Sequence, residues 1–96
     1  MPTIEQIKEQ INPVFRKHGV KKAVLFGSFA KGNATEKSDV DLLVDSGLKG
    51  LKFVYLLDDV QRSIGREVDM LDITHIERGT LLDEEIDKSG VVIYEE

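Results

Sequence analysis

The chain contains no cysteine among its 96 residues, which excludes a disulfide framework and a thiolate metal site. No apolar run approaches the ~20 residues that a membrane-spanning helix needs. The first ten residues lack the basic and apolar segments of a secretory signal, so we expect a cytoplasmic protein without membrane association. Positive charge is also in the minority, because 13 Lys and Arg face 18 Asp and Glu, for a formal net charge of −5. That balance argues against direct nucleic-acid binding through phosphate contacts.

What the chain does contain is typical of a small folded protein. Hydrophobic residues make up 41% and charged residues 32% of the sequence, which excludes a disordered chain. The length predicts a single domain over residues 1–96, with no room for a second substrate-binding domain.

Hydrophobic periodicity predicts helices and strands in the order α-β-α-β-α-β-α-β. Thr3 is placed to cap the first helix, Gly19 to end it, and Pro13 to kink it or to start a second short helix. The predicted strands cover residues 23–26, 39–45, 67–72 and 91–94, and the later helices cover about 51–64 and about 80–88, after a helical turn or two beyond residue 26. This order predicts a compact α/β or α+β fold around a small mixed sheet.

Two aspartates stand out on the second predicted strand. Asp39 and Asp41 point to the same side of the strand, roughly 7 Å apart, together with Leu43. Unpaired carboxylates at that spacing repel each other, and a divalent cation such as Mg²⁺ removes that cost. A pair of metal ions there would suit phosphoryl displacement. The alternative interpretation of an Asp-x-Asp pattern is a solvated strand face.

A glycine and a serine follow the first predicted strand. Gly27 and Ser28 lie where that strand gives way to a helical turn, and free backbone N–H groups at such a turn can bind an anion. Gly27 would let a phosphate approach the backbone, and Lys31 could add a positive charge. The alternative is an ordinary glycine turn with a serine N-cap.

A third carboxylate lies on the third predicted strand. Asp69 could join the other two if this strand neighbours the second. Glu67 lies on the same face as Asp69 and Asp72 on the opposite face, so spacing alone does not choose among them.

The stretch from Gly27 to Val44 closely resembles the signature of the DNA polymerase beta nucleotidyltransferase superfamily. It reads Gly27-Ser28-Phe29-Ala30-Lys31-Gly32, then Ser38-Asp39-Val40-Asp41-Leu42-Leu43-Val44. Within that superfamily the chain is similar to the minimal nucleotidyltransferase group of prokaryotes, with Val68-Asp69 as the match to the third carboxylate.

The resemblance implies a minimal polymerase-beta-like nucleotidyltransferase core, a small mixed sheet flanked by helices. It implies that Asp39, Asp41 and Asp69 hold two Mg²⁺ ions, and that Asp69 helps to activate the attacking hydroxyl. The reaction would move AMP from ATP, the substrate, to an acceptor hydroxyl and release pyrophosphate.

The same resemblance assigns the nucleotide site. Gly27 and Ser28 would bind the triphosphate, and Lys31 and Ser38, in the same matching stretch, would also belong to the nucleotide-binding site. Phe29 departs from the common pattern, in which many relatives carry Arg or Tyr. Charge contacts to the phosphates would then depend more on Lys31.

Members of this group commonly pair with a helical HEPN-domain ribonuclease toxin, which the nucleotidyltransferase neutralises as an antitoxin by adenylylating a tyrosine. Two alternatives stay open: an antitoxin that acts by docking alone, and a nucleotidyltransferase that acts on a small molecule or an RNA end. Leu51, Val54 and Tyr55 lie off the apolar stripe of their helix. They are either wrapped by the fold or form a partner or dimer surface, in a homo- or hetero-oligomer.

Overall fold

The computed structural model describes every residue from Met1 to Glu96 as four helices, four strands and one 3-10 turn. In chain order the elements are α1 (Ile4–His18), β1 (Lys22–Phe26), α2 (Gly27–Lys31), β2 (Val40–Asp45), α3 (Leu51–Ile64), β3 (Val68–Asp72), the 3-10 turn (Ile73–His75), α4 (Leu81–Ser89) and β4 (Val91–Glu95). The predicted order of helices and strands is confirmed, and only the 3-10 turn was not predicted.

The first helix begins and ends at the predicted caps. The Thr3 hydroxyl accepts the backbone N–H of Gln6, and the Gln6 side chain accepts the N–H of Thr3 in return. This reciprocal capping satisfies two N–H groups that lack partners in the first turn. Gly19 ends the helix with a φ of +72°, a left-handed conformation that side chains other than glycine rarely adopt.

The prediction that Pro13 starts a second helix is wrong, because α1 runs as one helix through that residue. A proline removes one helical hydrogen bond, but Pro13 is exposed and water can solvate the carbonyl that loses its partner. Meanwhile Ile7, Ile11 and Phe15 are fully buried on the opposite stripe. Packing of that stripe holds the helix together across the proline.

The four strands form one mixed sheet in the order β3-β2-β1-β4. Strand β1 runs antiparallel to both β2 and β4, whereas β2 and β3 are parallel. The parallel pair requires a crossover, which α3 supplies between β2 and β3. The result is an α+β fold with a small mixed sheet, as predicted.

The two faces of the sheet differ in how they are covered. Helices α1 and α3 cover one face, where side chains from both helices and from the inward positions of β1, β2 and β3 form the core. On β2 the alternation is regular, with Val40, Leu42 and Val44 fully buried and Asp41, Leu43 and Asp45 half-buried on the other face. Helix α4 packs against β1 and α2.

Helix α3 has the predicted bounds but leaves part of its surface uncovered. Leu51, Val54 and Tyr55 are 68%, 52% and 60% exposed. The alternative in which the fold wraps this helix on all sides is therefore wrong. None of the helices has both the length and the apolar character required to cross a bilayer.

The two helices that cover the core face are joined by an ion pair at their surface. His18, at the end of α1, lies with Nε2 2.7 Å from Oδ2 of Asp59 on α3. The hydrogen bond with His18 and the nearby Lys17 ammonium hold the pKa of Asp59 below its ordinary value. His18 therefore has a structural role at the end of α1.

Candidate active site

Two of the predicted carboxylates lie side by side on adjacent strands. The parallel register pairs Asp41 of β2 with Asp69 of β3, one step after Val40 pairs with Val68. Residues paired across adjacent strands project from the same face, so both carboxylates emerge from the face opposite the core. The register therefore excludes Asp72, which lies on the opposite face, and places Asp69 rather than Glu67 directly beside Asp41.

The third carboxylate, Asp39, lies just before the first residue of β2 and is exposed. Partial burial raises the pKa of Asp41, and the negative charges of Asp69, Asp39 and Glu85 raise it further. The four acidic groups therefore share one electrostatic environment. A cation bound there would relieve their mutual repulsion.

Gly27 forms a close contact with this acidic group. Its φ is +71°, and a Cβ built on it would lie 2.2 Å from Oδ2 of Asp41 and 3.1 Å from Cγ. Real Cβ atoms do not approach so closely, so the backbone conformation favours glycine and any side chain here would force the Asp41 carboxylate to move. The carboxylate of Asp41 thus packs directly against the backbone at the start of α2.

Ser28 follows Gly27 in the first turn of α2. No side chain caps this helix, because the residue before it is Phe26, so the N–H groups of its first turn are not taken by a capping side chain. The next residue, Phe29, is buried in the core. Phe29, where many relatives carry Arg or Tyr, therefore packs its apolar side chain beneath the first turn of α2.

Lys31 and Ser38, two further residues of the matching stretch, already have partners. Lys31, at the end of α2, forms a salt bridge with Glu85 of α4. The Ser38 hydroxyl accepts the backbone N–H of Thr35 at 2.8 Å and so closes the turn before Asp39. Neither side chain is held toward the aspartates by these contacts.

Sequence reasoning missed Glu85. A run of three acidic residues, Asp83-Glu84-Glu85, indicates a solvated helix face, but Glu85 is half-buried and its charge raises the pKa of Asp41. The only sequence signal for this position was its place on the amphipathic helix α4. The packing of α4 on α2 brings it to the site.

Sequence reasoning also missed Arg66, which joins three segments of the site. One guanidinium nitrogen donates to the carbonyl oxygens of Glu36 at 3.0 Å and Ser38 at 3.3 Å, in the loop that leads to Asp39. The guanidinium carbon lies 5.5 Å from the centre of the Phe29 ring. Arg66 itself precedes β3, so it holds the start of β3, the loop before β2 and helix α2 together.

Asp72, the alternative third carboxylate, is buried on the other side of β3 and has a structural role. Its Oδ1 accepts the hydroxyl and backbone N–H of Ser46 at 2.6 and 3.0 Å, and its Oδ2 accepts the hydroxyl and N–H of Thr74 at 2.8 and 3.1 Å. Burial alone would raise the pKa of Asp72, but these hydrogen bonds outweigh it and hold the pKa below its ordinary value. Its backbone N–H donates to Nδ1 of His75.

The donor set of the site fits a hard cation. Asp39, Asp41 and Asp69 offer only carboxylate oxygens, which Mg²⁺ prefers, and no softer ligand lies among them. As they stand, the side chains do not form a group of three or more that encloses a metal position.

Known proteins share the sequence pattern and the fold of this chain. The sequence pattern of the family described as polymerase beta, nucleotidyltransferase matches residues 9–96. A protein of Methanocaldococcus jannaschii, provisionally named a protein adenylyltransferase, is 38% identical over 89 residues, which are 88% of this chain and 96% of that protein. The protein adenylyltransferase MntA of Thermococcus cleftensis is 35% identical over 86 residues, 82% of this chain and 86% of that protein.

Solved structures show the same fold. A provisionally named minimal nucleotidyltransferase superposes with a TM-score of 0.75 at 26% identity, over 94% of this chain and 95% of that one. A toxin–antitoxin structure with AMP-PNP gives a TM-score of 0.77 at 20% identity, over 93% of this chain and 73% of the other. An MNT antitoxin in complex with a tri-AMPylated HEPN toxin of Shewanella oneidensis gives 0.72 at 17% identity, over 98% and 74%.

Proposed function

The chain belongs to the polymerase beta nucleotidyltransferase family, and on that premise we propose that it transfers AMP from ATP to a hydroxyl group of a partner protein. The observation that carries the proposal is the cross-strand pair of Asp41 and Asp69, with Asp39 two residues before Asp41 and the Gly27 backbone against the carboxylate of Asp41. Relatives at 38% and 35% identity that are named protein adenylyltransferases support the choice of acceptor.

Each residue has a role that follows from its position. The backbone N–H groups around Gly27 and Ser28 bind the phosphates, since the first turn of α2 has no side-chain cap. Lys31, at the end of α2, forms a salt bridge with Glu85. When ATP binds, the Lys31 ammonium group would interact with the phosphates as well as with Glu85. Ser38 keeps the turn before Asp39 closed.

The proposed reaction is a displacement at the α-phosphorus of ATP. The acceptor hydroxyl oxygen forms a bond to this phosphorus while the bond to the bridging oxygen of the β-phosphate breaks, and pyrophosphate leaves. Asp69 takes the hydroxyl proton, because it is the exposed carboxylate on the edge strand of the sheet, where an acceptor can approach.

We propose Mg²⁺ as the cofactor, held by Asp39, Asp41 and Asp69, with two ions as the full complement. When bound, the metal would neutralise the phosphate charge and polarise the attacking and leaving oxygens. The residues fit this role because they combine oxygen-only ligands with an uncompensated negative charge beside a phosphate-binding turn.

The proposed partner is a HEPN-domain toxin, with a tyrosine as the acceptor and neutralisation as the outcome. The support is the likeness of the fold to antitoxins in toxin–antitoxin complexes, one of which contains a tri-AMPylated HEPN toxin. Because the reaction consumes ATP, we place it in the cytoplasm. During transfer, the chain and the HEPN-domain toxin would form a hetero-oligomer.

The test is a mass spectrum of a HEPN-domain protein encoded beside this chain, after incubation with the chain, ATP and Mg²⁺. We expect a mass gain of whole AMP units on the HEPN protein, with the modified tyrosine located by fragmentation. The double variant Asp39→Asn/Asp41→Asn is expected to abolish the gain. Asp58→Asn is the matched control, because Asp58 is an exposed carboxylate on α3 that pairs only with Arg62.

Three results would contradict the proposal in different ways. A stable complex with no mass gain would favour an antitoxin that acts by docking alone. Labelling of RNA ends or of a small molecule, but not of protein, would move the activity to another acceptor. Full mass gain with the double variant would show that these aspartates are not the catalytic groups.

A further inference from the structure

The face of the sheet that carries the carboxylates also carries an apolar row. The strand registers pair Leu71 with Leu43, Leu43 with Val24, and Val24 with Val92, so these four side chains cross the whole sheet on one face. We call these four residues the apolar row. It lies two residues along the strands from the pair of Asp41 and Asp69, which is about 7 Å.

Helix α4 covers only part of the apolar row. Its end is packed on β1, where a Cβ on Gly90 would lie 2.8 Å from Cγ1 of Val24. Leu43 and Leu71 are only half-buried, and Val92 is 46% exposed. Ile73, in the 3-10 turn after β3, is 47% exposed and extends the same apolar surface.

The uncovered part of the row forms a groove between α4 and β3. One cleft of about 200 Å³ has Val24, Leu43, Ile73 and Ile86 as its apolar lining. A second cleft of about 310 Å³ shares Leu43 and Ile73 with the first and lies beside it. The shared residues place the two clefts side by side, and Leu43, which lines both, lies two residues along β2 from Asp41.

The rim of this groove is acidic. Asp45, Asp83 and Asp87 line the first cleft, and none of them forms a salt bridge. The one lysine in that cleft, Lys22, is already paired with Glu95. Arg78 lines the second cleft and offsets only one of these three negative charges, so the rim keeps an excess of negative charge. A segment that fills the groove would therefore need positive charge beside its apolar residue.

We infer that this groove is the docking site for the acceptor protein, and that it takes a segment carrying an apolar side chain flanked by Lys or Arg. The inference rests on the proposed function. An acceptor hydroxyl at Asp41 and Asp69 and an apolar side chain over Leu43 and Ile73 are separated by about 7–14 Å, which an extended segment spans in about two to four residues.

The exposed residues of α3 fit this role less well. Leu51, Val54 and Tyr55 belong to a helix on the opposite face of the sheet from Asp41. A helix is about 10–12 Å across, so an acceptor seated on α3 would be separated from the carboxylates by the helix and the sheet. The groove, by contrast, is continuous with the face from which they project.

The experiment compares matched apolar-to-glutamate variants on the two surfaces. Ile73→Glu changes the groove, whereas Val54→Glu changes α3 at similar exposure. Both sites are exposed, so folding is checked but not expected to fail. The readouts are kcat/KM for AMP transfer to the HEPN-domain protein, affinity for that protein without ATP, and affinity for AMP-PNP.

We expect Ile73→Glu to lose about tenfold in kcat/KM and in affinity for the protein, with AMP-PNP affinity unchanged. Val54→Glu should stay within about twofold. Asp45→Lys with Asp87→Lys should also weaken protein binding and reduce its sensitivity to salt. Loss with Val54→Glu but not with the groove variants would overturn the inference. If the wild type binds the HEPN-domain protein without transferring AMP to it, the proposed transfer activity is refuted. The affinities measured without ATP then still show whether the groove is the docking site.

Discussion

Replacement of Gly27 by alanine tests whether the position of Asp41 controls AMP transfer. The added Cβ would lie 2.2 Å from Oδ2 of Asp41, so the carboxylate must move by about 1 Å to reach an ordinary contact distance. A misplacement of about 1 Å in a reacting group can lower a rate by about 100-fold. We therefore expect Gly27→Ala to lower the rate of AMP transfer by about two orders of magnitude.

The same substitution also strains the backbone, and a matched control separates this effect. Gly19 has a φ of +72°, against +71° for Gly27, but a Cβ added at Gly19 would meet nothing within 4 Å. Each alanine should cost about 1–2 kcal/mol through the left-handed conformation, or a fall in Tm of about 4–8 °C per kcal/mol. Because the two glycines flank β1 at opposite ends, only Gly27→Ala should lose transfer.

The assay combines thermal unfolding with the initial rate of label transfer from ATP radiolabelled at the α-phosphate. Both variants must be fully folded at the assay temperature, and a lower temperature is used if they are not. If folded Gly27→Ala transfers AMP as fast as Gly19→Ala, the close approach to Asp41 has no bearing on catalysis. The assignment of the site would then be refuted at its most specific contact.

Three further predictions follow from the electrostatics of the fold. Asp41→Asn should abolish transfer yet raise Tm at pH 7 in the presence of EDTA, because it removes a partly buried negative charge that neighbouring carboxylates repel. A lower Tm for this variant would contradict the prediction. Arg66→Gln removes the hydrogen bonds to the loop before β2, so it should slow transfer about tenfold and speed hydrogen exchange in residues 33–38. Arg62→Gln loses only an exposed ion pair and should do neither. Because the pKa of Asp72 is lowered in the folded state, its ionised carboxylate stabilises the fold above about pH 4, and this contribution disappears as the pH falls through the lowered pKa. Denaturant titrations between pH 5 and 2 should therefore show that the free energy of unfolding falls less steeply with acid for Asp72→Asn than for the wild type.

Local sequence signals predicted most of the fold because they act within one element. The Thr3 cap, the Gly19 terminus and the bounds of α3 depend on residues a few positions apart. Alternation on β2 likewise showed which side chains would be buried and which would stand with Asp41. These features need no knowledge of the rest of the chain.

The parts that sequence reasoning missed depend on how elements meet. Asp69 could be separated from Asp72 only through the parallel register of β2 and β3. Glu85 reaches the site because α4 packs on α2, and Arg66 because its side chain extends to carbonyls some 30 positions away. Pro13 was misjudged for the converse reason, since tertiary packing of α1 overrode a local helix breaker.

The parallel pairing of β2 with β3 has a consequence for when the protein becomes active. Asp41 and Asp69 are brought together by a long-range contact that closes only after the crossover helix has formed. A nascent or partly unfolded chain can hold Gly27 near Asp41, since β1 and β2 pair through a short connection, but it lacks the carboxylate of β3. Catalytic competence therefore requires the pairing of β2 with β3, and any loosening of β3 at the sheet edge would silence the enzyme before it unfolds.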